Sequence, residues 1–180
     1  MGTASRRGTR LTSQTFSRGV AMTTGLIELF EREPQRVAVV HGHVENSEYD
    51  GFLAGAFDEV RKLLTDQHVA PSGPPFARYR PTGVGLEIDA GFPVDADIRP
   101  SGRVTTSTLP GGSMVVAPHV GDHDTVGFTY ETLQEWLAGN DYMPAGDPWE
   151  SYPDGGSRAT VVTVPCRRRP TVPPPQHFHN

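Results

Sequence analysis

Glu150 stands in the segment Pro148-Trp149-Glu150-Ser151-Tyr152, a single carboxylate set among aromatic rings. An earlier segment, Pro75-Phe76-Ala77-Arg78-Tyr79, repeats the pattern but has alanine where the later one has glutamate. A repeat that keeps its aromatics and exchanges alanine for glutamate has put a charge where symmetry does not require one. In an extended strand, alternate side chains share a face. Glu150 and Tyr152 therefore fall on one face, with Trp149 and Ser151 on the other, and Ala77 and Tyr79 share a face in the first copy. If the two strands meet at a pseudo-twofold axis, Glu150, Tyr152 and Tyr79 converge. A carboxylate walled by aromatics has two chemical uses. It pairs with a buried cationic ligand, or desolvation raises its pKa for general acid–base work.

Other reactive side chains make a weaker case. His41 and His43 share a strand face and His119 is a conceivable third metal ligand, but no carboxylate or cysteine completes a recognisable spacing, so no metal is expected. His119 and His123 flank a turn and suit closing the loop into a helix. Trp136 reads as core. The only cysteine, Cys166, ends a strand without a convincing base nearby, which argues against a thiol nucleophile. Ser151 lacks the Gly-x-Ser-x-Gly frame of a serine hydrolase. Gly111-Gly112 is followed by neither lysine nor a helix start, so it is no phosphate loop.

The elements that must position these groups form a repeat. The first copy opens with a strand, Arg36–Val44, followed by a helix from about Tyr49 to Asp66 with Leu53, Phe57, Val60 and Leu64 on one stripe. Ser47 is its candidate cap, and Asp50 sits in the favourable first turn. A Gly-Pro-Pro stop leads to short strands at Phe76–Arg80 and Val84–Val94. The second copy has a strand at Ser113–Val120, then a helix from about Thr125 to Ala138 with Val126, Tyr130, Leu133 and Leu137 on its stripe. Strands at Pro148–Pro153 and Thr160–Pro165 complete it. His43-Val44 matches His119-Val120, Tyr79 matches Tyr152, and Phe92-Pro93 matches Val164-Pro165, at offsets of 76, 73 and 72 residues. The linker, about 95–112, holds a further candidate strand at Arg103–Leu109. Each unit alone is too small to cover its sheet. The predicted class is therefore α+β: a duplicated strand–helix–strand–strand unit with pseudo-twofold symmetry, an antiparallel sheet and a central ligand cleft.

The 180 residues suit one medium domain. Formal charge is −5, unevenly spread: residues 1–22 and 167–180 hold seven arginines and no acid, which leaves 9 basic against 21 acidic side chains in 23–166. The expected organisation is a disordered basic tail over 1–22, a folded domain over 23–166, and a disordered Pro/Arg-rich tail over 167–180 that carries His177 and His179. Met22 is an alternative start. The acidic domain should attract cations and makes nucleic acid an unlikely partner. No run reaches the roughly 20 apolar residues of a membrane helix, and no secretory leader is evident, so the expected compartment is the cytoplasm.

The ordered set of segments resembles the GyrI-like family, which also supplies the effector-binding domain of AraC-type and MerR-type regulators such as BmrR. The resemblance rests on Val37-Ala38-Val39-Val40-His41-Gly42, Gly73-Pro74-Pro75-Phe76-Ala77-Arg78-Tyr79 and Glu87-Ile88-Asp89-Ala90-Gly91-Phe92-Pro93-Val94. Further along it rests on Leu109-Pro110-Gly111-Gly112, His119-Val120-Gly121, Tyr130-Glu131-Thr132-Leu133-Gln134-Glu135-Trp136 and Trp149-Glu150-Ser151-Tyr152. It covers about residues 26–166 and implies the same duplicated fold. It also implies that Glu150 lies in an aromatic-lined cleft for flat, hydrophobic, often cationic molecules. Expected lining residues are Trp149, Phe76, Ala77, Phe92, Pro93, Met114 and His119. Strict alternation puts Trp149 away from Glu150, so both can line the cleft only if a bulge intervenes.

Three functions compete. Some stand-alone members of the family hydrolyse the strained cyclopropane of DNA-alkylating natural products, in detoxification or self-resistance. By that resemblance Glu150 would activate water, and Tyr79 or Tyr152 would donate to the oxygen that gains charge. Other members only bind, and a sequestering or effector-sensing module would use Glu150 as counter-ion. A third type is an interaction protein that inhibits DNA gyrase. No cofactor is expected in any of them. With no helix-turn-helix beside the domain, a complete transcription factor is not expected.

Overall fold

The computed structural model describes residues 22–24, 27–45, 48–153, 155 and 159–171. Among them ten strands and two α-helices form one α+β unit. β1 (Met22–Thr24) and β2 (Ile27–Arg32) precede the first repeat: β3 (Gln35–Val44), α1 (Tyr49–Asp66), β4 (Phe76–Thr82) and β5 (Gly85–Pro93). β6 (Val104–Leu109) then leads into β7 (Gly112–Val120), a 3-10 turn (His123–Thr125), α2 (Val126–Gly139), β8 (Tyr142–Pro144), β9 (Trp149–Ser151) and β10 (Ala159–Arg168). No helix among the described residues is long and apolar enough to cross a membrane.

All pairings are antiparallel, in the order β1-β2-β7-β10-β9-β4-β5-β3-β6, with β8 on the end of β10. β9 and β4 meet at the middle, so the two repeats face each other across a pseudo-twofold axis between them. The outer strands are exchanged. β2 runs into β3 but pairs with β7, whereas β6 runs into β7 but pairs with β3. β2 and β3 are six places apart in the sheet, about 29 Å if it were flat. The link Glu33-Pro34 reaches only about 11 Å. The sheet must therefore curl until the two links are neighbours. A Cβ on Gly111, in the second link, would indeed lie 2.7 Å from Cδ of Pro34 in the first. Thus the repeat unit is larger than the pattern of residues 36–165 suggests. Each copy begins with a lent strand, and the one at Ile27–Arg32 was not anticipated.

Each face of the sheet buries its own clusters. On one face, α1 lays Leu53, Ala56, Val60 and Leu64 over Val40, Ile88 and Ala90, and α2 lays Leu133 and Leu137 over Val115 and Val162. The other face closes on Val37, Val39, Phe76, Leu109, Met114 and Trp149. The helix stripes superpose at the same 73-residue offset as Ala77 and Glu150, pairing Leu53 with Val126, Phe57 with Tyr130, Val60 with Leu133 and Leu64 with Leu137. Backbone detail repeats as well. His68 and Asp141, 73 apart, both take the left-handed conformation after their helix, with φ of 58° and 61°.

Helix limits fall within a residue of expectation, but the caps differ. Ser47 lies outside the described residues, and Glu48 caps α1 without a side-chain bond. At the C-terminal boundary the expectation of a tail from 167 is corrected. β10 continues through Arg168 because Arg167 and Arg168 pair with Met143 and Tyr142 of β8, a strand too short to show a period. The Arg168 guanidinium covers the Tyr142 ring at 5.3 Å, and the Arg169 amide donates to the Asp141 carbonyl at 2.8 Å. Likewise, residue 22 opens β1. Residues 1–21 and 172–180, with His177 and His179, lie outside the described residues.

Candidate functional site

At the axis, Ala77 pairs directly with Glu150, so the residues related by the repeat face one another. Two backbone bonds carry the same symmetry: the Tyr79 amide donates to the Pro148 carbonyl at 3.1 Å, and the Tyr152 amide donates to the Pro75 carbonyl at 2.9 Å. Both tyrosines then point to the helical face, where their hydroxyls meet at 2.6 Å. Ala77, fully buried, leaves room for the carboxylate beside it.

Glu150 is only 3% exposed. Its Oε2 accepts from the Tyr152 hydroxyl at 3.1 Å and from Tyr79 at 3.5 Å, and its Oε1 accepts from Tyr130 of α2 at 3.0 Å. Tyr49, at the start of α1, closes the ring of phenols with hydrogen bonds to Tyr79 and, at 3.3 Å, to Tyr152. His123 Nδ1 lies 3.7 Å from Oε2. Neither lysine nor arginine pairs with Glu150 among the described residues. A buried carboxylate normally requires both donors and a counter-charge. Here the described residues supply the donors and no lysine or arginine partner.

The phenols are tuned as donors. Burial, then the Glu150 charge, pushes the Tyr49 hydroxyl up to about 12. The same two causes raise Tyr130 and Tyr152 far above the ordinary phenol range, and Tyr79 is raised by burial and by the neighbouring Tyr152 and Glu150. All four remain protonated at neutral pH. They solvate charge by donating hydrogen bonds and are not bases at neutral pH.

Two cavities open between the helices above this ring. One, of about 610 Å³, is walled by Glu150, Tyr49, Tyr79, Tyr130, Pro81, Leu86, Gln134 and His123 among others. The other, of about 580 Å³, is walled by Tyr49, Leu53, Phe57, Val120, His123, Tyr152 and Thr160 among others. Both volumes suit a drug-sized ligand.

The structure brings Glu150, Tyr79 and Tyr152 together with Ala77 beside them, and it places the remaining expected residues elsewhere. The expectation that Trp149, Phe76 and Met114 line the cleft is corrected. They pack against one another's cluster on the opposite face, with Arg32 over the Trp149 ring at 5.2 Å. The reason is register: Phe76–Ser151, Ala77–Glu150 and Arg78–Trp149 pair in unbroken succession, so no bulge turns Trp149 around. Phe92 is screened from the cavity by Phe57, which meets Phe92 and Tyr152 edge-on at 5.9 and 6.0 Å. Pro93 is buried opposite Val37. His119 is occupied in holding the turn before α2, with Nδ1 3.0 Å from Thr129 Oγ1 and Nε2 3.1 Å from the Asp122 carbonyl oxygen.

Tyr49, Tyr130 and His123 were not anticipated at the site. Tyr130 carried a signal, since a phenol at a core-stripe position needs a partner when buried. Tyr49 and His123 carried none beyond their places beside helix starts. The described residues contain no cluster of three or more metal-ligating side chains, and His41 instead faces Asp89 at 2.8 Å. Burial, with a smaller effect from Glu31, pushes the Cys166 thiol up to about 11.

A family model, the GyrI-like small molecule binding domain, matches residues 27–158. The chain belongs to that family. As a GyrI-like domain it is similar in fold to the EcmrR C-terminal domain, with 16% identity and a TM-score of 0.66 over 79% of this chain and 97% of that one. A hydrolase from Listeria innocua is 11% identical, with a TM-score of 0.59 over 78% and 91% of the two chains. SAV2435, solved bound to tetraphenylphosphonium, is 14% identical, with a TM-score of 0.57 over 78% and 93%. Against EcmrR in its DNA complex, at 17% identity and a TM-score of 0.66, the GyrI-like chain covers 79% of itself and 57% of its counterpart. The expectation that nucleic acid is an unlikely partner is therefore not borne out, because one neighbour is a DNA-bound protein. No curated protein matches the chain.

Proposed function

We propose that this GyrI-like protein binds a hydrophobic aromatic cation in the cleft above the pseudo-twofold axis, with Glu150 as counter-ion. One observation carries the reading: Glu150 is buried, held by three phenol donors, and pairs with no lysine or arginine among the described residues. A cation entering the cleft supplies the missing charge in a low-dielectric setting, where the attraction is strong. Aromatic walls favour it further through cation–π attraction. That SAV2435 holds tetraphenylphosphonium supports the same ligand class.

A second reading is hydrolysis of a strained, electrophilic ring, a self-resistance or detoxifying activity. It is favoured by protonated phenols standing beside a carboxylate. Glu150 would take a proton from water while the water oxygen bonds to a cyclopropane carbon. The electron pair of the broken C–C bond would move to a conjugated carbonyl oxygen, stabilised by a hydrogen bond from Tyr79 or Tyr152. Return of the proton would complete the net addition of one water.

Calorimetric titration with tetraphenylphosphonium tests the first reading. The expected outcome is a cleft-bound complex in the wild type, weakened at least about 30-fold by Glu150→Gln. Equal affinity in both proteins, or no binding by either, overturns it. Incubation with an activated-cyclopropane compound, read by mass spectrometry as gain of one water, tests the second. If Glu150 is the base, Glu150→Gln lowers turnover by about 10²–10⁴-fold. Cation binding without water addition leaves the counter-ion role alone standing.

A further inference from the structure

The two lent strands, β2 and β6, begin alike and are finished differently. Ahead of β2, Thr24 meets Ile27 across a two-residue turn, and β1 runs on to pair Thr23 with Glu28 and Met22 with Leu29. Ahead of β6, 77 residues later, Ser101 meets Val104 across the same kind of turn, with backbone bonds of 3.2 and 3.1 Å in the two directions. There the likeness stops. Arg99, which corresponds to Met22, is held by the side chain of Gln67 at the end of α1. Gln67 Nε2 donates to the Arg99 carbonyl at 2.7 Å, and the Arg99 amide donates to Gln67 Oε1 at 2.8 Å. Those are the two groups that would otherwise serve Thr106. The edge of β6 therefore stays open where that of β2 is covered.

Val104 turns its N–H and C=O to Ser101, away from β3, and by strand alternation Thr106 and Thr108 do the same. The Thr108 carbonyl accepts from Arg78 Nη1 at 3.2 Å. Among the described residues nothing serves the Thr106 amide, the Thr106 carbonyl or the Thr108 amide. Thr105, Thr106 and Thr108 are exposed. Edge strands are ordinarily blunted by charges, proline or a bulge. Val104–Leu109 has neither charge nor proline and pairs with β3 in unbroken register. We infer that this edge is a dimer interface, at which β6 pairs antiparallel with β6 of a second copy about a twofold axis at Ser107. It lies at the last strand of the sheet, away from the Glu150 axis, and so stands independently of the cation-binding reading.

The strand is its own complement. With Ser107 on the axis, Thr106 of each copy lies opposite Thr108 of the other in a hydrogen-bonded pair, and all the open groups find partners. The Thr108 carbonyl has a second lone pair for this bond. A twofold axis sets charges against their own kind, so a self-pairing edge must be neutral. β6 is neutral, and the charges beside it are already matched, Arg36 by Asp97 and Arg103 by Glu59. A cavity of about 490 Å³, walled by Val94, Asp97, Ile98, Thr106 and Thr108 among others, borders the strand and leaves room for the threonine side chains of the other copy. One short strand edge is a small contact, in the weak class that buries less than about 1,200 Å² in total.

Sedimentation velocity of the full chain, from about 5 to 500 µM, should show a monomer–dimer equilibrium. Thr106→Lys with Thr108→Lys, and separately Thr106→Glu with Thr108→Glu, should each weaken the dimer at least about 10-fold, because like charges then face each other. An equimolar mixture of the two double variants should restore it. Single cysteines check the register. Ser107 on the axis stands about 4.5 Å from its mate between Cα atoms, so Ser107→Cys should cross-link on oxidation. Thr105 stands about 14 Å from its mate, so Thr105→Cys should not. A wild type that stays monomeric throughout, a dimer indifferent to both double variants, a loss that mixing leaves unrepaired, or cross-linking as good through Thr105→Cys as through Ser107→Cys overturns the interface.

Discussion

The two halves of the sheet share a backbone plan and differ in the residues that carry charge. Phe57 of α1 corresponds to Tyr130 of α2, and Ala77 of β4 corresponds to Glu150 of β9. In the first half both positions are apolar: Phe57 packs on Phe92 and Tyr152, and Ala77 is fully buried. In the second half the two changes meet, because the Tyr130 hydroxyl donates to Glu150 at 3.0 Å. Tyr79 and Tyr152 are common to both halves and serve the same carboxylate from either side. The repeated plan gives the cleft two related walls, and the two positions at which they differ, Phe57/Tyr130 and Ala77/Glu150, bring the charge and its donor together in the second copy. A symmetric pair of glutamates at the axis would place two buried carboxylates side by side, at a cost neither could recover.

Making the axis symmetric again is the most severe way to break this comparison. Ala77→Glu sets a second carboxylate against Glu150 in the paired position and should destabilise the fold by about 3–5 kcal/mol at pH 7. The loss should shrink as the pH falls and one member of the pair takes a proton. Urea melts at pH 7 and pH 5 check this. A variant as stable as wild type at pH 7 would mean that the axis is open enough to hydrate both charges.

The next test sharpens the difference between the helices. Leu133 is fully buried beneath α2, so Leu133→Ala should cost about 2–5 kcal/mol. Phe57 is only half-buried and lines the cleft, so Phe57→Ala should cost less than Leu133→Ala while altering ligand affinity. Denaturant melts rank the two, and the reverse order would show that α1 carries its half of the core differently from α2.

The smallest effect isolates the phenol that only the second copy has at this stripe position. Tyr130→Phe restores the first half's residue type and deletes one hydrogen bond to a charged acceptor, at a cost of about 1.5 kcal/mol. Thermal melts across pH 6–8 measure it. If the variant melts with the wild type, Tyr130 contributes nothing to holding Glu150 and the asymmetry rests on Glu150 alone.

Local patterns determined much of this protein. The periods of 3.6 and 2 placed α1, α2, β3, β5 and β7 within a residue, because hydrophobic burial acts on every turn of those elements. The internal repeat, together with Ala77 in the place of Glu150, singled out the carboxylate on the condition that the two strands meet at the axis, and the direct pairing of β4 with β9 supplies that condition. Strand alternation alone was enough to put Trp149 on the face away from Glu150; the family resemblance suggested the cleft, and the unbroken β4–β9 register decided for alternation. Three features belonged only to the tertiary structure. The exchange of β2 and β6 depends on sheet curvature, which no window of residues encodes. The short strand β8, and with it the extension of β10 to Arg168, exists because a distant strand end supplies its partner. Tyr130 and His123 reach Glu150, and Tyr49 reaches the tyrosines beside it, from two helices and a turn remote in the chain, and contacts of that kind are fixed by how the elements pack.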